Sequence, residues 1–359
     1  MKRRGTTRFS GRERAAEPQG TESRTSKKTA SRRHAARVQI AVAVFLLAAS
    51  FAAVCFIGRY PLTFSDMVQA FCGAHSTAAG VFLNIRLPRA AFSALCGAAL
   101  ALSGLLYQEL FSNPLASPDV LGVSGGAAVG AAGAMLAGAT AAGVRIWSLI
   151  GGLAAVLITV FLARLIGKWR AAALILAGVV VKAMADSVLM AFKYTADPEG
   201  TLAAIEYRLM GSLQNVRAGD FTACLPAVVL PLAVLYVIRR KIELLSLGDS
   251  QARSLGVPAA ALRLICIAAA TVPAAVMVSV TGIISWAGLI VPHAVRVLTR
   301  GSFSKSYALC GICGAIFLLW TDAAARSLTA AEIPVSILTS LAGAVFLAVF
   351  LLFSARHQR

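Results

Sequence analysis

Residues 97–138 read GAALALSGLLYQELFSNPLASPDVLGVSGGAAVGAAGAMLAG. Two apolar runs flank a short polar stretch, Asn113-Pro114-Leu115-Ala116-Ser117-Pro118-Asp119. The two prolines keep the runs from fusing into one helix. Small residues recur at Gly97, Gly104, Gly122, Gly126 and Gly130. In lipid, small residues let helix backbones approach closely, because packing there replaces hydrophobic attraction. A nucleotide-binding glycine loop is the other use of such a run. No G-x-G-x-x-G follows a strand here and no Gly-Lys-Ser/Thr ends the segment, so it is not a P-loop. The stretch therefore reads as two closely packed membrane helices joined by a shaped turn.

The rest of the chain agrees. Of 359 residues, 58% are hydrophobic and only 14% are charged. Soluble domains run near a quarter charged. The net charge of +19 would suit a nucleic-acid binder, but its placement argues otherwise. The first 37 residues hold twelve Lys/Arg and three Glu, a net +9. This segment reads as a disordered basic cytoplasmic tail that touches anionic lipid. Residues 38–359 are mostly apolar, with basic residues gathered at the ends of the apolar runs. Seven cysteines are scattered, most of them inside those runs, and they build no metal-site spacing.

A helix needs about 20 apolar residues to cross the hydrocarbon layer. Ten segments qualify: 38–58, 90–110, 119–142, 146–167, 171–192, 221–238, 263–281, 283–298, 304–325 and 333–353. The eighth is short and interrupted by Gly282, Gly288 and Pro292, so irregular backbone is expected there. With the tail inside, the inner segments hold 25 Lys/Arg and the outer ones eight. The positive-inside tendency favours this orientation, with both termini cytoplasmic. The expected fold class is an all-α membrane protein of about ten transmembrane helices.

Several features stand apart from that frame. Residues 239–262, RRKIELLSLGDSQARSLGVPAAAL, face the cytoplasm, too polar to span and too apolar for a plain linker. Gly248 and Gly256-Val257-Pro258 break them into short helical pieces. Lys182 and Asp186 share one face of the fifth span. Ionisable residues in a membrane are costly and usually face the bundle interior, so they form either an intrahelical pair or part of a water-filled path. Asn113–Asp119 is either a plain inner turn or a constriction at a pore mouth. His293, near the end of the eighth span, has no companions with which to bind a metal.

Five segments together resemble the permease subunits of type II ABC importers, the family that takes up iron–siderophore chelates, haem and vitamin B12. They are RLPR (86–89), GAALALSGLLYQELFSNPLASPDVLGVSGGAAVGA (97–131), GDSQARSLGV (248–257), GIISWAGLIVPHAVRVL (282–298) and EIPVSILTSLAGAVF (332–346). They lie in order along most of the chain after the tail.

The resemblance implies a homodimer in the cytoplasmic membrane, with two cytoplasmic ATPase subunits below and an extracytoplasmic substrate-binding protein above. This chain would be no enzyme and hold no cofactor, since ATP and Mg would be bound by the ATPases. Gly248, Asp249, Ala252, Leu255 and Gly256 match the helix that couples to the ATPase. Arg86, Arg89 and Arg326 match positions that grip acids of the binding protein. Asn113 and Leu115 match the cytoplasmic gate. Lys182 departs from the family's fifth span. The cargo implied is an iron siderophore, with haem or cobalamin as alternatives. An ion-coupled secondary carrier would favour inverted repeats and midplane acids. Asp186 is the main core acid, and no repeat is visible.

Overall fold

The computed structural model of the chain describes residues 19–73, 76–166, 171–299, 302–329 and 331–357. These residues form α1 (Gln19–Phe56), α2 (Phe64–Phe71), α3 (Thr77–Val81), α4 (Leu87–Leu110), α5 (Val123–Leu136), α6 (Ala141–Leu165) and α7 (Ala171–Thr195). There follow α8 (Thr201–Leu209), α9 (Ala218–Leu245), α10 (Asp249–Ser254), α11 (Ala259–Thr281), α12 (Ala287–Thr299), α13 (Phe303–Ser327) and α14 (Val335–His357). A π-helical turn, Phe82–Arg86, joins α3 to α4, and a 3₁₀ turn, Pro118–Leu121, precedes α5.

Among the described residues, seven helical segments are long and apolar enough to cross a membrane, and three shorter apolar ones lie at 123–136, 287–299 and 335–350. The ten apolar segments of the sequence are thus ten apolar helices. Helix α1 starts at Gln19, inside the basic stretch that composition leaves unstructured. Once a helix is nucleated on an apolar run, each added residue costs little. Residues 1–18 of that stretch lie outside the described residues. The chain divides into two units, Met1–Val42 and Ala43–Arg359, so the division falls within the first span rather than before it.

In the larger unit, α4 and α11 are the most buried spans, with α13, α12 and α9 packed around α4 and α6 packed against α5. The small residues explain the closeness. A Cβ added at Gly104 would lie 1.7 Å from the Gly288 carbonyl oxygen on α12, and one at Gly97 would lie 2.1 Å from that of Gly314 on α13. Tyr107 and Ser103 keep their hydroxyls satisfied inside this core, on Thr271 and on the Ala270 carbonyl.

Between α11 and α12 the chain unwinds over Gly282–Trp286. Gly282 and Trp286 both take positive φ, 77° and 68°. The Trp286 ring lies where a side chain at position 343 would stand, so α14 must carry Gly343 there. Ser336 at the start of α14 accepts the Ser285 N–H at 3.3 Å. The eighth segment is therefore a short helix preceded by non-helical backbone; of the residues expected to interrupt it, Gly282 lies in the irregular stretch, whereas Gly288 and Pro292 are accommodated inside α12.

Candidate functional site

At the end that charge counting assigns to the cytoplasm, α10 is bounded by two glycines in conformations that side-chain-bearing residues avoid. Gly248 has φ 102° and Gly256 has φ 77°. The closure expected of a glycine cap is present after α10: Gly256 N–H donates to Arg253 O at 3.0 Å and Val257 N–H to Ala252 O at 2.9 Å. This is the double hydrogen bond of a Schellman cap. Ala252 is wholly buried among Ile242, Leu245, Val257 and Ala259. Leu247 and Leu255 are exposed. The short helix is thus seated on its own chain by Ala252 and offers leucines outward. The side chain of Asp249 lies outside the described residues. Just upstream, Glu243 Oε1 accepts hydrogen bonds from the Ser302 hydroxyl and the Ser304 N–H, both 2.8 Å, and ties the end of α9 to the start of α13.

The turn after α4 is held as firmly. Ser112 takes φ 47°, with Ser112 N–H donating to Glu109 O and Asn113 N–H to Gln108 O. Asn113 Oδ1 accepts the Leu115 N–H at 2.9 Å, and Leu115 is exposed. Asp119, in the 3₁₀ turn, accepts a hydrogen bond from Lys182 Nζ at 2.8 Å. Lys182 and Asp186, expected either as an intrahelical pair or as part of a water-filled path, share a face of α7 that this turn also reaches. The hydrogen-bonded partner of Lys182 is brought in from another element, because the turn lies across that face of α7. A cavity of about 220 Å³ adjoins the turn, lined by Ser117, Asp119, Ser124, Ser285, Trp286 and Leu289 among others. The turn and the unwound segment therefore border one space.

At the opposite end, Arg86, Arg89 and Arg326 are only 4%, 6% and 6% exposed. Arg89 grips Asp322 through Nε and Nη2 and reaches Glu332 at 2.9 and 3.1 Å. Arg86 donates to the carbonyls of Cys55, Phe56 and Tyr60 at the end of α1. Arg326 donates to Val54 O at 2.7 Å. Each of the three arginines, expected as grips for a docking protein, makes its contacts here within its own chain. They are spent on acids and helix-end carbonyls of their own chain. The π-helical turn before Pro88 feeds Arg86 and Arg89 into this cluster. Asp322 and Glu332 complete it, and neither stands out in the sequence reading. The signal for Asp322 is present all the same: an acid within an apolar span wants a buried cation.

Two other expectations concern metal binding. His293 packs edge-on against Phe350, with ring centroids 4.3 Å apart. Among the described residues no group of three His, Cys, Asp or Glu could hold a metal ion.

The comparisons with known proteins follow this geometry. The FecCD transport family matches residues 45–353. The chain belongs to the FecCD transport family. A "probable iron chelatin transport system permease protein" of Helicobacter pylori is 35% identical over 276 residues, 77% of this chain and 83% of that one. The cobalamin import system permease protein BtuC of Halobacterium salinarum is 38% identical over 275 residues, 76% of this chain and 74% of that one. Among solved structures, one described as an inward-facing conformation of a metal-chelate type ABC transporter superposes with TM-score 0.80 at 30% identity, covering 87% of this chain and 98% of that one. This FecCD permease is a multi-pass protein of the cytoplasmic membrane and the non-catalytic transmembrane subunit of an ABC importer. Membership implies partner subunits that hydrolyse ATP and a binding protein that delivers cargo.

Proposed function

We propose that this FecCD permease imports an iron chelate of the siderophore class, working as a homodimer with the path between the two copies. Two ATPases seat on α10, and an extracytoplasmic protein delivers the cargo. The observation that carries the reading is the form of α10: glycine-bounded, anchored by Ala252 and presenting Leu247 and Leu255. A small rigid element of that kind transmits a rigid-body push. Gly248, Asp249, Ala252, Leu255 and Gly256 form this coupling element, and Asn113 and Leu115 form the inner gate. The exposed flank of α7, with Val179, Val180, Met184 and Met190 around the Lys182–Asp119 pair, is the wall turned to the second copy. A half-exposed ion pair set against lipid would be costly, so protein or water must cover it.

The iron-chelate assignment draws on the Helicobacter relative. The Halobacterium relative supports a second cargo, cobalamin. The test is uptake by proteoliposomes holding the permease, its ATPase and its binding protein, with radiolabelled ferric siderophore and cobalamin offered in parallel. ATP-dependent accumulation of the ferric chelate alone supports the reading. Accumulation of cobalamin alone transfers it to the second cargo, and uptake without the ATPase defeats both.

A further inference from the structure

One buried carboxylate lies between the proposed coupling element and the proposed gate. Glu109 stands in the last turn of α4 and is 8% exposed. Its Oε2 accepts a hydrogen bond from Arg296 Nη2 in the last turn of α12 at 2.8 Å, and the same nitrogen reaches Leu105 O at 3.3 Å. Ser246, the residue that follows α9 and opens the approach to α10, donates its hydroxyl to the Glu243 carbonyl at 2.8 Å, and Leu245 and Ala252 share one buried cluster with Leu106 and Leu110 on either side of Glu109. The Glu109 carbonyl accepts the Ser112 N–H at 3.2 Å, which closes the left-handed turn that launches Asn113–Asp119. One residue thus bonds to the inner end of α12 and the base of the gate, and its neighbours Leu106 and Leu110 pack in the cluster that seats the coupling element.

The surroundings give this contact direction. Glu243, one turn before Ser246, holds the start of α13 through Ser302 and Ser304. The far end of α13 is fixed by Asp322 in the arginine cluster. A push on α10 that reaches α13 therefore meets a helix anchored at its other end. The push that reaches Glu109 meets α4 where its helix is ending and α12 where its helix is short. Beyond Glu109 the gate turn is clasped to α7 by the half-exposed Lys182–Asp119 pair. A desolvated ion pair is directional, whereas apolar contacts at the same place would slide.

We infer that the Glu109–Arg296 ion pair is a positioning joint that converts displacement of the α10 coupling element into displacement of the Asn113–Asp119 gate. This rests on the importer reading above. The experiment uses the full reconstituted complex of permease, ATPase and binding protein. Cargo uptake and ATP hydrolysis are measured on the same vesicles for wild type, Glu109→Gln, Arg296→Lys and the exchange Glu109→Arg with Arg296→Glu.

The expected result for Glu109→Gln is a drop of about tenfold in cargo moved per ATP, a typical size for a coupling between sites. Hydrolysis should stay within about twofold of wild type. Arg296→Lys keeps the charge and loses the planar fork, so it should fall between the two. The exchange should recover part of the ratio. A pair that only stabilised the fold would lower uptake and hydrolysis together and leave the ratio unchanged. That outcome, or a wild-type ratio in Glu109→Gln, overturns the joint. If Glu109→Gln is not recovered in folded form, Arg296→Lys decides by the same ratio. A wild-type complex with no ATP-dependent uptake would instead overturn the importer reading.

Discussion

At the outer end, Arg89 holds Asp322 and Glu332 in a site almost closed to water. At the inner end, Lys182 holds Asp119 with the two side chains 47% and 39% exposed. The distances are alike, both 2.8 Å for the shorter contact, but the energetics differ. Losing one member of a buried pair strands a charge, at about 3–5 kcal/mol. A pair open to a water-filled path between the two proposed copies contributes about 0–1 kcal/mol. The outer cluster therefore locks the ends of α1, α4 and α13 together, while the inner clasp can be released at small cost. Where the glycines fall points the same way. The close approaches of α4 to α12 and α13 freeze the core, whereas Gly248 and Gly256 bound the short α10, the proposed coupling element.

The most severe way to break this contrast is at the frozen core. Gly104→Leu drives a side chain into the Gly288 carbonyl and should cost more than about 4 kcal/mol, at the extreme for single substitutions. No monodisperse permease should survive size-exclusion chromatography in detergent, and a normal peak would show the helices to be less closely held. Next comes the outer cluster. Asp322→Ala should lower stability by about 3–5 kcal/mol in thermal unfolding, and adding Arg89→Met together with Glu332→Gln should restore part of it, because neither the cation nor its second acid is then left stranded. Failure of the added changes to help would show that the arginine serves more than its acids.

Smaller effects are expected at the inner end. Gly256→Leu forces a side chain into a left-handed conformation, about 1–2 kcal/mol of local strain. Global melting should shift little, while stimulation of the ATPase by the binding protein is lost; intact stimulation would remove α10 from the coupling path. Lys182→Met should change stability by no more than about 1 kcal/mol. A loss like that of Asp322→Ala would erase the distinction between the two ends. The smallest effect is a gain: Ser112→Gly relieves a positive φ at a helix cap and should stabilise by about 0.5 kcal/mol. A loss in the same melting assay would mean that the serine hydroxyl is needed.

The fold is legible in the sequence because lipid imposes a length and a polarity on every span, and both survive in the residues. Boundaries are less legible where the backbone departs from a helix. The sequence starts the third segment at 119, but α5 begins only at Val123, because Pro118–Leu121 winds as a 3₁₀ turn. It starts the eighth at 283, but α12 begins only at Ala287, because Trp286 takes a positive φ that its own residue type disfavours. Gly248 and Gly256 mark the bounds of α10 by residue type alone. The side-chain partners are not legible. Spacing places Asp186 beside Lys182 on one helix face, yet Asp119 comes from a turn far away in the chain. Arg89 and Asp322 are separated by most of the polypeptide, and nothing local links them.

The unwound segment before α12 has a consequence for biogenesis. Trp286 rests against Gly343, and Ser285 bonds to Ser336. Val335 N–H donates to Gly211 O at 3.0 Å, and Gly211 in turn lies against the Ile283 carbonyl. Gly343, Ser336 and Val335 all belong to α14, the last of the described helices to leave the ribosome. Earlier helices can enter the bilayer in order, but residues 282–286 cannot acquire these restraints until α14 has been made. A nascent chain stalled before that point would carry its most irregular stretch without support, which makes that stretch a natural point for membrane quality-control proteases to recognise incomplete copies.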